Sequence, residues 1–420
     1  MSIGYACLTL GVPLTRQKSC TKKYASEEKL RTVIAHNLEA LEHIIEYNNE
    51  NNIHLFRISS DIIPFGSSPV NQLPWEIIYK EKFKKIGDCI KRHKIRVSMH
   101  PGQYTVLNSP NKEVVARAIE DLNYHAKVLD SLGVGQEHKI VLHIGGVYQD
   151  KQAAIKRFVA NYQQLEDNVK RRLVIENDDK SYMINEVLNI GEKLSIPVVF
   201  DNLHHKINQC PQKKSEYEWI EECSKTWKEE DGIQKIHYSQ QNLMKSKGAH
   251  SETINLLEFL DFYKALKRND LDIMLEVKDK NISALKCISA TVTEQNIKVL
   301  EREWSRYKYL ILEKDPNTYT AIRKLLKDKS KYPVNSFYSL IEQGLNQKAR
   351  IGNAVNAAQH VWGYFKGKAT IQEQTTFLNN ITNFQKGSIP ITRIKRQLGK
   401  AALKYKEVYL LESYYFLENY

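Results

Sequence analysis

Apolar residues recur along the first 300 positions in two alternating rhythms. Short β-rich runs are bounded by charged or turn-forming residues: "IGYACLTL" (3–10), "HLFRIS" (54–59), "IRVSMH" (95–100), "IVLHIGG" (140–146), "LVIEND" (173–178), "VVFDNLHH" (198–205), "KIHYS" (235–239) and "DIMLEVKDK" (272–280). Between them, stretches such as "EEKLRTVIAHNLEALEHIIEY" and "VVARAIEDLNYHAKVLDSL" repeat their apolar residues at the spacing of an amphipathic helix. Eight such β/α units predict a (β/α)8 TIM barrel, with an open doubly wound sheet as the alternative. Neither GxGxxG nor a P-loop follows the first strand, which argues against a nucleotide cofactor.

After about residue 300 the recurring strands stop. "EREWSRYKYLILEKDPNTYTAIRKLLKD" and the residues beyond it read as helices, broken at "KSKYPVNSF" and "KGSIPIT". The pattern predicts a barrel over residues 1–300 and a smaller, mostly α-helical domain over residues 301–420.

Composition narrows the class further. Hydrophobic content of 42% and charged content of 26% are those of a globular protein, and no apolar run approaches the roughly 18–20 residues that span a bilayer. The N-terminus lacks the features of a signal peptide, and the six cysteines form no CxxC pair, so reduced thiols and a cytoplasmic location are expected. The net charge of +13 is uneven: residues 301–420 carry 20 Lys and Arg against 10 Asp and Glu, which leaves only +3 for residues 1–300. A basic, tyrosine-rich tail suggests a polyanionic partner.

The chemistry gathers at strand ends. His100 closes "IRVSMH", His143 "IVLH", Glu176 "LVIE" and Asp201 "VVFD", with His204 three positions on. His237 lies in "KIH", His250 in the following loop, and Glu276 closes "IMLE". In a TIM barrel the C-terminal ends of the strands converge on one mouth. Any one of these residues reads most simply as a hydrogen-bonded rim residue. Together they do not, because several desolvated carboxylates repel one another unless cations neutralise them. A mixed imidazole and carboxylate set suits Zn²⁺ or Mn²⁺, and eight candidate ligands exceed what one ion uses. A cluster of two or three metals suits hydrolysis at phosphorus.

"GYACLTL", "FRISSDIIPFGSSP", "SMHPGQYTVL", "LHIGGVYQDK", "LVIENDDKSY", "VFDNLHH", "KIHYS", "GAHSETI" and "MLEVKDK" occur in an order that resembles the UV damage endonucleases (UvdE/UvsE type), and less closely endonuclease IV. The resemblance covers about residues 1–285. It implies a metal-dependent DNA repair endonuclease acting on damaged double-stranded DNA. Such an enzyme nicks immediately 5′ of pyrimidine dimers and 6-4 photoproducts, and the implied range extends to abasic sites. The products are a 3′-hydroxyl and a 5′-phosphate. Mn²⁺ is the implied ion, with Zn²⁺, Mg²⁺ or Co²⁺ as substitutes.

By the same resemblance His100, His143 and Glu176 hold one metal, with Glu176 bridging; Asp201, His237 and Glu276 complete the second; His204 and His250 serve a third. Lys235 matches a family lysine that can be carboxylated, and joins Glu176, His237 and Glu276 as a catalytic candidate. Gln103 and Tyr104, just past Pro101-Gly102, match a pair that enters the duplex. Tyr5 matches a tyrosine near the lesion pocket. Two positions depart from the family: Ser68 stands for a histidine and Thr9 for an asparagine.

The tail resembles YbgA-like domains of unknown function in "RYKYLILEKDPNTYTAIRKLL", "NAVNAAQHVWGYFKGKAT" and "GSIPITRIKRQLGKAALKYKEVYLLESYYF". His360 is expected to pack in its helix beside Trp362. The alternatives are a divalent-metal barrel isomerase or epimerase, and a non-catalytic lesion-binding module. Neither uses all of the ligands, the Gln-Tyr pair and the basic tail.

Overall fold

The computed structural model describes residues 1–419. Eight parallel strands, β1 (Ser2–Ala6), β2 (Leu55–Arg57), β3 (Arg96–Ser98), β4 (Ile140–His143), β5 (Leu173–Glu176), β6 (Val198–Asp201), β7 (Lys235–Tyr238) and β8 (Asp272–Leu275), form one sheet. Their order is β3-β2-β1-β8-β7-β6-β5-β4. A parallel bridge between Met99 and Ile140 joins the two ends of that series. The result is the TIM barrel that the periodicity predicts, with helices outside it.

Each strand is shorter than the apolar run that announces it, and the reasons are local. β1 stops at Ala6 because Cys7 takes a left-handed backbone, φ 70°. β6 stops at Asp201, whose side chain accepts from the His204 backbone N–H and so caps the helix Asn202–Ile207. The barrel helices obey the same logic. Ser26 caps Glu27–Glu50, Glu27 and Glu28 sit in its positive first turn, and Leu30, Val33, Ile34, Leu38 and Leu41 form its buried stripe. Truncating one of these, as in Ile34→Ala, would cost about 2–5 kcal/mol.

The chain divides into two compact units, Met1–Thr9 with Leu14–Leu285, and Leu10–Pro13 with Lys286–Tyr420. The division falls inside the helix Asn281–Thr291, ahead of the position near 300 where the periodicity changes. The second unit is helical: Ile297–Lys314, Pro316–Leu325, Val334–Leu345, Ile351–Trp362, Ile371–Gln385 and Ile391–Lys404 are its longer elements beyond that helix. Asp315 caps Pro316–Leu325, with the proline in the first turn where its missing N–H costs nothing. Leu312, Val361, Phe365, Ile394 and Leu398 lie in its core. His360 does not pack there as the sequence suggested. It is exposed, because Ala357, Ala358, Val361 and Trp362 occupy the inward face of their helix.

All six cysteines are free. Among the described residues no helix is long and apolar enough to cross a membrane.

Candidate metal centre

Side chains alternate across a strand, so a residue two positions beyond an inward-facing one faces inward as well. Val141, Val174 and Val199 pack together from β4, β5 and β6, and Ala6, Leu55 and Met274 from β1, β2 and β8. Two positions past five of these six residues stand His143, Glu176, Asp201, Arg57 and Glu276, and past Ala6 stands Leu8. His237 holds the same relation to Lys235 on β7, and His100 to Ser98 on β3. One layer of side chains at the barrel mouth therefore carries nearly all the chemistry, above a mostly apolar layer.

Glu176, 1% exposed, is the centre of this set. Its Oε1 lies 2.6 Å from His237 Nδ1 and 3.8 Å from His204 Nδ1. Its Oε2 lies 3.2 Å from His100 Nε2 and 3.7 Å from His143 Nε2. Glu276 Oε1 is 3.4 Å from His237 Nδ1, and its Oε2 is 3.7 Å from His250 Nε2. Asp201 Oδ1 lies 3.7 Å from His204 Nδ1. His100, His143 and Glu176 each present a ligand atom within 4.8 Å of the others, and so do Glu176, Asp201 and His237. Glu176 belongs to both groups.

Three observations fit these residues to bound cations. His100 Nδ1–H donates to the Pro101 carbonyl at 3.0 Å, and burial pushes its pKa down to about 4. A neutral His100 then turns the lone pair of Nε2 toward a carboxylate oxygen, an arrangement that a cation between them would relieve. Asp201 Oδ2 and His143 Nδ1 are buried with no hydrogen-bond partner. Burial, followed by repulsion from Glu176 and Glu276, raises the Asp201 pKa against the opposing pull of His204. The carboxylates are unequally compensated. Burial opposes ionisation of Glu176 too, but His237 and His143 outweigh it and hold its pKa well below the carboxylate range. His204 is also buried, yet Asp201, Glu176 and Glu276 lift its pKa to about 9.

Sequence reasoning missed Arg57. Its Nη2 lies 2.6 Å from Glu276 Oε1 and donates to His237 Nε2 at 2.9 Å. That contact assigns His237 the tautomer whose Nδ1–H donates to Glu176, so to ligate a cation through Nδ1 His237 would have to move that proton to Nε2 and give up Arg57. The signal was present in "HLFR", where Arg57 ends β2 in register with the other mouth residues. Its positive charge sets it apart from the metal-ligating residue types at the other strand ends.

The remaining candidates fall into two sets. Gln103 and Tyr104 are exposed on the turn after β3, Tyr104 to 70%. Beside them a cavity of about 490 Å³ is lined by Gln103, His143, Tyr148, Asp178 and His204 among others. Tyr5, in contrast, has no exposed surface. Its hydroxyl is held by Thr9 Oγ1 at 2.7 Å and donates to Asn48 Oδ1 at 2.8 Å. The lesion contact that the resemblance implies would require Tyr5 to leave both partners. Thr9, one of the two departures, thus serves Tyr5. Ser68, the other, accepts from the Val70 N–H within its own turn. Lys235 is fully buried, and its Nζ has no hydrogen-bond partner.

The chain is similar to known proteins over nearly its whole length. The family model described as UV-endonuclease UvdE matches residues 2–308, and a protein family of unknown function, DUF1722, matches residues 308–419. A UV DNA damage endonuclease from Clostridium perfringens (strain 13 / Type A) is 40% identical over 407 residues, 95% of this chain and 97% of that protein. One from Bacillus cereus (strain G9842) is 36% identical over 278 residues, 66% of this chain and 87% of that protein. The crystal structure of SacUVDE superposes with a TM-score of 0.66 at 40% identity, over 69% of this chain and 97% of that one. With the family model matching residues 2–308 and a relative 40% identical over 95% of its length, the chain belongs to the UV-endonuclease UvdE family.

Proposed function

We propose that this chain is a metal-dependent DNA repair endonuclease. It nicks the damaged strand immediately 5′ of pyrimidine dimers and 6-4 photoproducts, leaving a 3′-hydroxyl and a 5′-phosphate, and it accepts abasic sites as well. The observation that carries this reading is the shared position of Glu176 in two groups of candidate ligands, both at the mouth of the barrel.

In this reading His100, His143 and Glu176 hold one ion, Asp201, His237 and Glu276 join Glu176 at a second, and His204 and His250 serve a third. Mn²⁺ is the preferred ion. When bound, such ions lower the pKa of a coordinated water and offset charge developing on phosphate oxygens. The protein supplies the rest. Pro101 accepts from His100, and Asn177 O accepts from His204 Nδ1–H at 3.0 Å, so both rings are fixed in orientation. Arg57 offsets part of the carboxylate charge. Lys235 is the residue proposed for carboxylation: its amine, buried without an acceptor, would combine with CO₂, release a proton and gain two oxygens.

Gln103 and Tyr104 enter the duplex at the damage. An aromatic ring replaces lost stacking and an amide replaces lost base-edge hydrogen bonds, while the displaced nucleotides take the adjoining cavity. The test is nicking of UV-irradiated supercoiled plasmid, with the new ends mapped on a labelled duplex holding a single dimer. Metal-dependent cuts one phosphodiester 5′ of the dimer support the reading. Cuts on the other side, or none, overturn it.

A further inference from the structure

The helical unit carries a groove that the endonuclease reading does not use. It lies between the helices Ile371–Gln385 and Ile391–Lys404 and encloses a cavity of about 760 Å³. Arg393, Arg396 and Lys400 line one wall, at positions that share a face of the second helix, and all three are exposed. Among the described residues none of the three has a carboxylate partner. Glu373, the acidic residue in the lining, is already engaged. It takes Lys404 Nζ at 2.8 Å, the Tyr405 hydroxyl at 2.7 Å and the Thr370 N–H at 2.9 Å. Its charge and that of Lys404 offset each other, so the groove keeps the charge of the other three cations.

The floor is polar and hydrogen-bonded. Asn380, 7% exposed, donates to Gln397 Oε1 at 2.8 Å, and Gln397 donates to the Glu373 carbonyl at 3.3 Å. Trp362 lies behind them, stacked on Phe377 at 4.4 Å and 8°. The exposure of the rings decides between two ligand types. A site that reads a base needs a free aromatic face, and here Trp362 is only 8% exposed and the Tyr405 ring lies under the Lys404 ammonium.

We infer that this groove binds the phosphodiester backbone of duplex DNA without regard to sequence, as a second DNA contact outside the barrel. Along a helix, Arg393 to Lys400 covers about 10 Å, and one strand of a duplex advances about 3.4 Å per nucleotide. The three cations therefore span roughly three nucleotide steps, a stretch of about four phosphates along one strand. The inference rests on the reading that the chain acts on DNA.

The test compares the full-length protein with Arg393→Gln/Arg396→Gln/Lys400→Gln. A second triple variant, Lys324→Gln/Lys327→Gln/Lys348→Gln, removes equal charge from exposed positions outside the groove. Binding to undamaged duplex is measured across salt concentrations. Each phosphate contact contributes about 0.9 to the slope of log K against log salt. The groove variant should lose about 2–3 in slope and tenfold or more in affinity at moderate salt, and the control variant should lose little. An unchanged slope, or an equal loss in both variants, overturns the inference. So does saturable pyrophosphate binding that the groove variant abolishes while its DNA slope stays intact, since the site would then serve a small ligand. Nicking of irradiated plasmid by the wild type is scored separately, so failure of the endonuclease reading is distinguishable from failure of the groove.

Discussion

Arg57 and Glu276 form an ion pair at 2.6 Å, with side chains only 8% and 13% exposed. The pair joins the end of β2 to the residue just past β8 across β1, which lies between them in the sheet. Burial works against the charge on Glu276, yet Arg57, then His237, holds its pKa far below the carboxylate range. Removing one partner of such a pair leaves the other charge buried and uncompensated, which costs about 3–5 kcal/mol. Arg57→Met should therefore lower the stability of metal-free protein by that amount, read as a shift in urea midpoint with EDTA present. Mn²⁺ should narrow the gap by taking over the neutralisation. An unchanged midpoint in EDTA would contradict this account of Arg57.

Gln103→Ala with Tyr104→Ala should behave in the opposite way. Both side chains are exposed, so the loss of stability should stay within about 0.5 kcal/mol. Stacking of a base on an aromatic ring contributes about 1–3 kcal/mol. Damage discrimination should accordingly fall roughly tenfold or more at limiting enzyme, with metal content unchanged. Wild-type discrimination between irradiated and intact DNA in this variant would remove the duplex-entering role.

Tyr5 separates a buried role from a DNA-contacting one. Tyr5→Phe removes the hydroxyl shared by Thr9 and Asn48 and should cost about 1–2 kcal/mol in stability. Damage discrimination should stay within about twofold, because the ring has no exposed surface in this fold. A large loss of discrimination at unchanged stability would show instead that Tyr5 leaves its partners to meet the lesion.

The barrel and the clustering of His100, His143, Glu176, Asp201, His204, His237, His250 and Glu276 were legible in the sequence because strand periodicity and strand-end position are local properties of the chain. The depth of Tyr5 was not, since it depends on Asn48, 43 positions away, turning its side-chain oxygen toward the hydroxyl. Arg57 was visible as a residue but not as a partner, because Glu276 lies 219 positions on. His360 was misplaced for a related reason. An adjacent tryptophan shows that a helix is partly buried, but only the packing of Ala357, Ala358 and Val361 fixes which face. The helix Asn281–Thr291 is apolar enough to read with the barrel, although the division into compact units falls within it.

The central claim is that Glu176 works by holding cations that cut DNA. The direct measurement strips the full-length protein with EDTA, adds Mn²⁺ back and scores nicking of UV-irradiated plasmid by wild type and Glu176→Gln. The amide is nearly isosteric but carries no charge to join two ions, so several kcal/mol of transition-state stabilisation should be lost, about a thousandfold in rate. The account predicts no nicking by stripped wild type, recovery with Mn²⁺, and no recovery in a folded Glu176→Gln protein. Nicking by that variant at the wild-type rate in saturating Mn²⁺, or by wild type in EDTA, would contradict it.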